Sequence, residues 1–140
     1  MYTNYKSTKY KASINFEIKT YEIDIAGHVN NIVYVKWLED LRCKFFEQFL
    51  PIDSLLAHNL YPVITSTNIV YKRQLKLYDK PTGFIWAEDI KHNVMILKIK
   101  FINNENICAV AEQKCILMDL KNWKMDKVVL SSSLTDEVLI

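Results

Sequence analysis

The sequence predicts an α+β domain in which one long helix is covered by a single antiparallel sheet. Apolar residues recur at three- and four-residue intervals between positions 31 and 49, as in an amphipathic helix. Apolar and polar residues alternate in several other segments, which is typical of half-buried strands. No repeat, low-complexity tract or linker divides the 140 residues, half of which are hydrophobic, so we expect one domain with a substantial core.

The first predicted element is a strand that starts at position 13, where Ile14, Phe16 and Ile18 alternate with polar residues. The long helix follows over about 31–49, and Pro51 marks its end. After it we expect a loop or a short helical turn, four strands, one more short strand and a brief final helix. The turn is predicted over 53–59, and the four strands over 63–75, 84–90, 95–101 and 107–118. The short strand is predicted over 128–130, and the final helix starts over 133–136. The compositions of 79–83 and 103–106 predict the connections between the later strands.

The predicted helix has one apolar face and one charged face. At about 100° per residue the apolar arc comprises Tyr34, Val35, Leu38, Leu41, Phe45, Phe46 and Phe49. Lys36, Asp40, Lys44 and Glu47 lie opposite. Arg42 projects near the middle of the apolar arc and Glu39 lies at its edge, three residues apart, which lets the two side chains meet. Since buried charges are tolerated only with partners, we interpret them as an internal ion pair that fixes the helix against the sheet. In the alternative, Glu39 reaches the active site as an acid, a base or a water-positioning group.

The composition argues against several classes of function. A formal net charge of +2 is too small to indicate a nucleic-acid partner, and no apolar run approaches the length of a membrane span. Residues 1–11 are polar and basic, and no apolar segment of a secretory signal follows them, so we expect a cytoplasmic protein. Cys43, Cys108 and Cys115 lack metal-ligand spacing and are interpreted as buried thiols. The sequence contains no Walker motif, dinucleotide fingerprint or Cys/His cluster, so no cofactor and no metal are expected.

The residues best suited to chemistry lie in one motif of eight residues before the helix, Asp24-Ile25-Ala26-Gly27-His28-Val29-Asn30-Asn31. Asn30 or Asn31 is suited to cap the helix, because an asparagine side chain accepts hydrogen bonds from the free amides of the first turn. A carboxylate, an imidazole ring and unpaired helix-start amides would then lie close together, and such amides favour negative charge. By itself the pattern also fits a structural Asx turn followed by a helix cap.

With Tyr21, Glu22 and Ile23 before it and Tyr34, Glu39 and Arg42 after it, the motif resembles the start of hotdog-fold acyl thioesterases of the 4-hydroxybenzoyl-CoA thioesterase-like family. Its ending, His28-Val29-Asn30-Asn31, also resembles plant thioesterases that act on acyl carrier protein (ACP) thioesters. The resemblance implies a hotdog fold over nearly the whole chain, in which a curled antiparallel sheet of about five strands wraps a central helix. It further implies hydrolysis of an acyl-CoA or acyl-ACP thioester by a homodimer or homotetramer.

The resemblance also implies roles for individual residues. Asp24 matches the family's catalytic aspartate, acting as nucleophile or general base, and the backbone amide of Asn31 matches the group that polarises the thioester carbonyl. His28 matches a catalytic histidine of the plant enzymes, but those enzymes carry an asparagine where this chain has Ala26. We therefore interpret His28 as a residue that orients Asp24 or the thioester, with a structural histidine as the alternative. Gly27 is expected to shape the site.

Lys72 and Arg73, at the end of the strand predicted over 63–75, are candidate ligands for a phosphate of CoA or of a carrier protein's pantetheine arm. The alternative is a solvated strand end. Two other functions stay open: a hotdog dehydratase or hydratase that uses His28 and Glu39, which leaves Asp24 unexplained, and a non-catalytic module that binds acyl thioesters. The acyl group, and the choice between CoA and carrier protein, lie beyond the sequence.

Overall fold

The computed structural model describes residues 10–91 and 94–126 of the chain. Its elements in order are β1 (Lys11–Asn15), a 3-10 turn (Thr20–Glu22), α1 (Asn31–Phe49), α2 (Ile52–Ala57), β2 (Leu60–Tyr71), β3 (Thr82–Lys91), β4 (Val94–Asn103), β5 (Asn106–Asp119) and β6 (Lys124–Asp126). The predicted α+β class is confirmed, as are the bounds of the long helix. The strand predicted at 128–130 and the final helix predicted at 133–136 lie outside the described residues.

The strands form one antiparallel sheet in the order β1-β3-β4-β5-β2, and the short β6 pairs with the end of β5. β4 and β5 are joined by the predicted hairpin, in which Asn104 and Glu105 have φ of 48° and 66°. Two central residues with positive φ match the right-handed twist of a tight hairpin. Among the described residues, β1 and β2 form the two edges of the sheet, and β2 is paired along its length to β5.

The helix α1 lies against the sheet and supplies much of the core. Its buried residues are Val33, Tyr34, Trp37, Leu38, Leu41, Phe45 and Phe46. Close approach depends on Gly83 in β3, where a Cβ atom would lie 2.7 Å from the Phe16 ring and 2.9 Å from the Leu41 side chain. The absence of a side chain at Gly83 therefore lets α1 and the segment after β1 pack directly on β3.

Three details of the sequence predictions are corrected. The first strand ends at Asn15, because the chain leaves its pairing with β3 there, although Phe16 and Ile18 are buried as the alternation predicts. Val35, predicted on the apolar arc of the helix, is 49% exposed. The loop or short helical turn predicted over 53–59 is observed as the short helix α2. Cys43 is exposed, whereas Cys108 and Cys115 are buried as expected.

The ion pair predicted between Glu39 and Arg42 does not form. Glu39 is exposed, and the Arg42 guanidinium donates through Nη1 to Oε1 of Gln113 on β5 at 3.0 Å. Gln113 is 2% exposed, and its Nε2 donates in turn to the Thr67 hydroxyl of β2 at 2.9 Å. The physical reason is that a buried amide needs partners, whereas an exposed carboxylate gains little from an ion pair over its contacts with water.

None of the helices in the described residues combines the length and the apolar character needed to cross a lipid bilayer.

Candidate active site

A polar cleft of about 660 Å³ opens at the N-terminal end of α1, between the motif and the end of β2. It is lined by Asp24, Ala26, His28, Val29, Asn31, Tyr34, Tyr71, Lys72, Arg73 and Gln74. Five of the residues singled out from the sequence therefore share one cleft: Asp24, His28, Asn31, Lys72 and Arg73. Two others, Gly27 and Glu39, do not line it.

The motif forms a tight loop closed around the Asp24 carboxylate. Oδ1 of Asp24 accepts the backbone N–H of Ala26 at 2.9 Å and that of His28 at 3.1 Å. The backbone N–H of Asp24 donates to the His28 carbonyl at 2.8 Å, and that of Gly27 donates to the Asp24 carbonyl at 3.0 Å. Gly27 has a φ of 83°, in the left-handed region that favours glycine, and it lies in open space. Gly27 thus shapes the loop from outside the cleft.

Neighbouring segments hold this loop in place at its end. Val29 donates its backbone N–H to the Leu75 carbonyl at 2.8 Å, and Asn30 donates to the Glu22 carbonyl at 2.9 Å. Glu22 is buried, and its Oε1 accepts the Lys19 N–H at 2.7 Å. The loop is consequently anchored to the segment before it and to the segment after β2.

One oxygen of Asp24 is left open by this arrangement. Both side-chain hydrogen bonds are accepted by Oδ1, and Oδ2 accepts none from residues 10–91 or 94–126. Asp24 is half-buried at the wall of the cleft. An oriented carboxylate with one open oxygen is able to act as a nucleophile or to take a proton from water.

The start of α1 presents an open donor to the same cleft. Asn30 is the N-cap, and its Oδ1 accepts the Ile32 N–H at 3.1 Å while its carbonyl accepts the Val33 N–H at 2.9 Å. The Asn31 N–H has no acceptor among the described residues. A free amide at the positive end of a 19-residue helix is suited to stabilise an oxygen that gains negative charge.

Two tyrosines complete the cleft, and only Tyr34 was noted in the sequence. The Tyr71 hydroxyl donates to the Asn31 carbonyl at 3.2 Å, and the rings of Tyr71 and Tyr34 meet edge to face at 5.1 Å. Burial raises the pKa of both phenols above the usual tyrosine range, so both are neutral near pH 7. Tyr71 is the last residue of β2 and lies forty positions from Asn31 in the sequence. Local sequence patterns therefore do not predict their contact.

Lys72 and Arg73 follow directly where β2 ends. Their backbone N–H groups both donate to the Cys108 carbonyl of β5, at 2.7 Å and 3.0 Å, which holds this part of the cleft wall against β5. Both residues are exposed, so the cleft has a cationic rim as well as an acidic group inside.

Glu39 belongs to a different part of the surface. It lies eight positions beyond Asn31, about 12 Å along the helix axis, and lines a largely apolar groove between α1, α2 and β2 together with Arg42, Cys43 and Phe46. Within one chain, Glu39 and His28 are therefore not brought together. No three His, Cys, Asp or Glu residues of the described chain are grouped as a metal site.

Comparison with known proteins shows which family the chain resembles. Residues 18–137 match the thioesterase-like superfamily. The chain is 33% identical over 110 residues to the long-chain acyl-CoA thioesterase FadM of Escherichia coli K12, covering 77% of this chain and 83% of FadM.

Solved structures agree on the fold. YbaW, a probable thioesterase from Escherichia coli, has a TM-score of 0.74 at 26% identity, covering 84% of this chain and 88% of YbaW. An acyl-ACP thioesterase from Bacteroides thetaiotaomicron has a TM-score of 0.79 at 15% identity over 85% of this chain and 51% of its own, a likeness of fold alone. The expected hotdog fold and the expected thioesterase class are confirmed, and the chain belongs to the thioesterase-like superfamily.

Proposed function

We propose that the chain hydrolyses acyl-CoA thioesters to a free acid and CoA, with Asp24 as the reacting carboxylate. The observation that carries this proposal is the cleft itself, which Asp24 and Asn31 both line, while Oδ2 of Asp24 and the N–H of Asn31 have no hydrogen-bond partner among the described residues. The similarity to an acyl-CoA thioesterase, FadM, supports the choice of CoA as the thiol.

The chemistry needs attack at the acyl carbon and stabilisation of the oxygen that becomes negative. Asp24 acts either by direct attack, which forms a mixed anhydride that water then cleaves, or by taking a proton from a water molecule that attacks in its place. The C–S bond breaks in either route, and the departing sulfur takes up a proton. The Asn31 amide and the positive end of the α1 dipole stabilise the oxyanion.

The other residues of the cleft have supporting roles in this proposal. His28 orients Asp24 through its backbone and offers its ring to the thioester. Gly27 permits the turn that closes the loop. Lys72 and Arg73 at the rim attract the phosphates of the substrate. Tyr71 fixes the carbonyl of Asn31 and so keeps the first turn of α1 in position.

The two alternatives have less support. A dehydratase or hydratase would use His28 and Glu39, which line different hollows of the chain. Such an enzyme would also give the Asp24 loop no role in the reaction. A non-catalytic acyl-thioester-binding module has no need of an open carboxylate oxygen beside a free helix-start amide. A cytoplasmic location and a homodimer or homotetramer remain predictions.

The experiment is a hydrolysis panel with detection of the free thiol, run on acyl-CoAs of several chain lengths, on aromatic acyl-CoAs and on acyl-ACPs. We expect turnover of at least one acyl-CoA class well above hydrolysis in buffer, and loss of this turnover in the Asp24→Asn variant. A folded protein that binds acyl-CoA but releases no thiol from any substrate would contradict the proposal and favour the binding module.

A further inference from the structure

A second polar hollow of about 360 Å³ opens beside the cleft. It is lined by Arg73, Gln74, Lys76, Asn103, Asn104, Asn106 and Cys108. We infer that this hollow, here called the hairpin hollow, is a binding subsite for the phosphorylated nucleotide of CoA, with Lys76 as its main cation. The inference rests on the proposed function and names the part of the substrate that the hollow recognises.

The hairpin hollow adjoins the cleft. Arg73 and Gln74 line both, so the segment after β2 forms the wall between them. A thioester whose acyl carbon lies at Asp24 and whose thiol arm leaves past Arg73 is thereby led towards the hairpin hollow. The nucleotide end of CoA, and not the acyl group, would occupy the hairpin hollow.

The lining of the hollow has the chemistry of a phosphate site. It carries two cationic side chains, from Arg73 and Lys76, and no carboxylate side chain belongs to it. Three asparagines and one glutamine add neutral amide donors. An arginine fork binds phosphate oxygens in pairs and a lysine binds them as a point charge. The amides can complete the hydrogen bonds of a phosphate or of a nucleotide base.

Hydrogen bonds hold the backbone around the hollow in three places. The N–H of Arg73 donates to the Cys108 carbonyl at 3.0 Å, and the side-chain amide of Asn106 donates to the Asn104 carbonyl at 3.2 Å across the β4–β5 turn. The N–H of Lys76 donates to Oδ2 of Asp79 at 2.8 Å, and the N–H of Asp79 returns to the Lys76 carbonyl at 3.0 Å. The Asp79 carboxylate thus caps the turn at Lys76 and does not line the hollow.

The number of cationic positions favours CoA over a carrier protein. A carrier protein presents a pantetheine arm with one phosphodiester, and the rim formed by Lys72 and Arg73 suffices for one phosphate. CoA adds a second bridging phosphate and a 3′-phosphate on its ribose. Lys76 and the asparagines beyond the rim provide binding groups for those additional phosphates, which a carrier-linked substrate lacks.

The kinetic test compares two substrates in three proteins. The parent, Lys76→Ala and Lys80→Ala are assayed with an acyl-CoA and with the matching acyl-pantetheine, which has no nucleotide. Lys80 is an exposed lysine four residues away that lines neither hollow, so its variant controls for the loss of one charge. In Lys76→Ala we expect the KM for acyl-CoA to rise by about tenfold, the scale of one charge-assisted hydrogen bond. The kcat for acyl-CoA and the kcat/KM for acyl-pantetheine should change less than about twofold.

A binding test keeps the inference independent of turnover. Adenosine 3′,5′-bisphosphate, the nucleotide end of CoA, is titrated into each protein by calorimetry, and we expect saturable, salt-sensitive binding that weakens by about tenfold in Lys76→Ala alone. Absence of binding to the parent would overturn the inference. An equal increase in KM for acyl-CoA and acyl-pantetheine in Lys76→Ala would also overturn it. An equal loss of kcat/KM on an acyl-ACP would overturn it as well, because the hollow would then bind the carrier protein. If the parent hydrolyses no thioester, the proposed function fails and the titration alone decides the subsite.

Discussion

Asp24 and His28 are joined by two hydrogen bonds that run in opposite directions. The His28 N–H donates to Oδ1 of Asp24 at 3.1 Å, and the Asp24 N–H donates to the His28 carbonyl at 2.8 Å. The pair closes the loop and fixes the carboxylate in one orientation, with Oδ2 left for chemistry. The Asx turn that the sequence offered as a purely structural alternative is therefore the device that orients the candidate catalytic group.

Replacement of Asp24 by asparagine should remove activity and leave the fold. The Asn oxygen can accept the same two N–H groups that Oδ1 accepts, so the loop should close as before. The charge needed for attack or proton transfer is lost, and we expect kcat to fall by roughly two or more orders of magnitude. Thiol release measures the loss, and circular dichroism with a thermal melt checks the fold. Full activity in a folded Asp24→Asn protein would end the proposed mechanism.

His28→Ala should have a milder effect. The hydrogen bonds that hold the Asp24 loop use only the backbone of His28, so they survive truncation of the ring. If the ring orients the thioester without exchanging a proton, kcat should fall by about tenfold, less than in Asp24→Asn. A loss as large as that of Asp24→Asn would instead make His28 a catalytic acid or base, as in the plant enzymes that the motif resembles.

The sequence predicted what is local along the chain. Apolar periodicity, Asn30 or Asn31 as a cap and Pro51 after the last turn predict α1, and the structure has Asn30 as the cap. Asp24, His28 and Asn31 are predicted to lie close together because they fall within eight residues. These relationships depend on neighbours in the chain, and local geometry determines them.

Contacts between distant elements were missed, because they depend on the register of the sheet. Gln113 is 71 positions from Arg42, and it meets the guanidinium only because the fold brings this part of β5 next to α1. Tyr71 reaches Asn31 for the same reason, through the pairing of β2 with β5. Helical periodicity alone suggested Glu39 as the partner of Arg42, and that prediction was wrong.

The contact of Arg42 with Gln113 gives a stability test that separates the two interpretations. Gln113→Ala removes the acceptor of the guanidinium and the donor to Thr67, and we expect it to cost roughly 1–3 kcal/mol of unfolding free energy. Glu39→Gln, on the exposed side of the same turn, should change stability by less than about 0.5 kcal/mol. Urea unfolding measures both variants. The reverse order would restore the ion pair predicted from the sequence.

The buried thiol of Cys115 should make the protein sensitive to alkali. Burial raises the pKa of this thiol to about 12, while in the unfolded chain it ionises near pH 8.5, the ordinary value for a cysteine. The native state therefore keeps a proton that the unfolded state loses at alkaline pH. Below about pH 8.5 both states hold this proton, so the thiol does not reduce the free energy of unfolding there. Above this pH, the Cys115 thiol alone should lower stability by up to about 1.4 kcal/mol per pH unit, and the Cys108 thiol, whose pKa burial also raises, adds to the decline.

The measurement is the urea midpoint between about pH 7.5 and 9, where most tyrosines of the unfolded chain, with a pKa of about 10, are still protonated. Cys115→Ala should be less stable at pH 8 because it leaves a small cavity, and its stability should decline less steeply with pH. Cys43→Ala, at an exposed thiol, should keep the slope of the parent. Equal slopes in all three proteins would contradict the assignment of this effect to Cys115.

The exposed apolar residues near the cleft point to self-association. Ile32 and Val35, three positions apart on α1, are 65% and 49% exposed, and Tyr71 at the end of the edge strand β2 is 41% exposed. Proteins normally cover apolar surface and a long unpaired strand edge. A second copy of the chain that packs here would explain why Val35 lies in solvent in the single chain although helical periodicity includes it in the apolar arc.

We therefore predict a dimer whose interface includes the first turns of α1. Light scattering at micromolar protein should give a mass of at least twice the 16.5 kDa of one chain. Val35→Lys introduces a charge that must be desolvated in the interface, so it should shift the equilibrium towards the monomer. Tyr78→Lys, at a residue that is 90% exposed and lines a hollow to which no residue of α1 belongs, is the control and should leave the mass unchanged. A parent that scatters only as a 16.5 kDa species would refute the dimer, and a Val35→Lys dimer as stable as the parent would place the interface elsewhere.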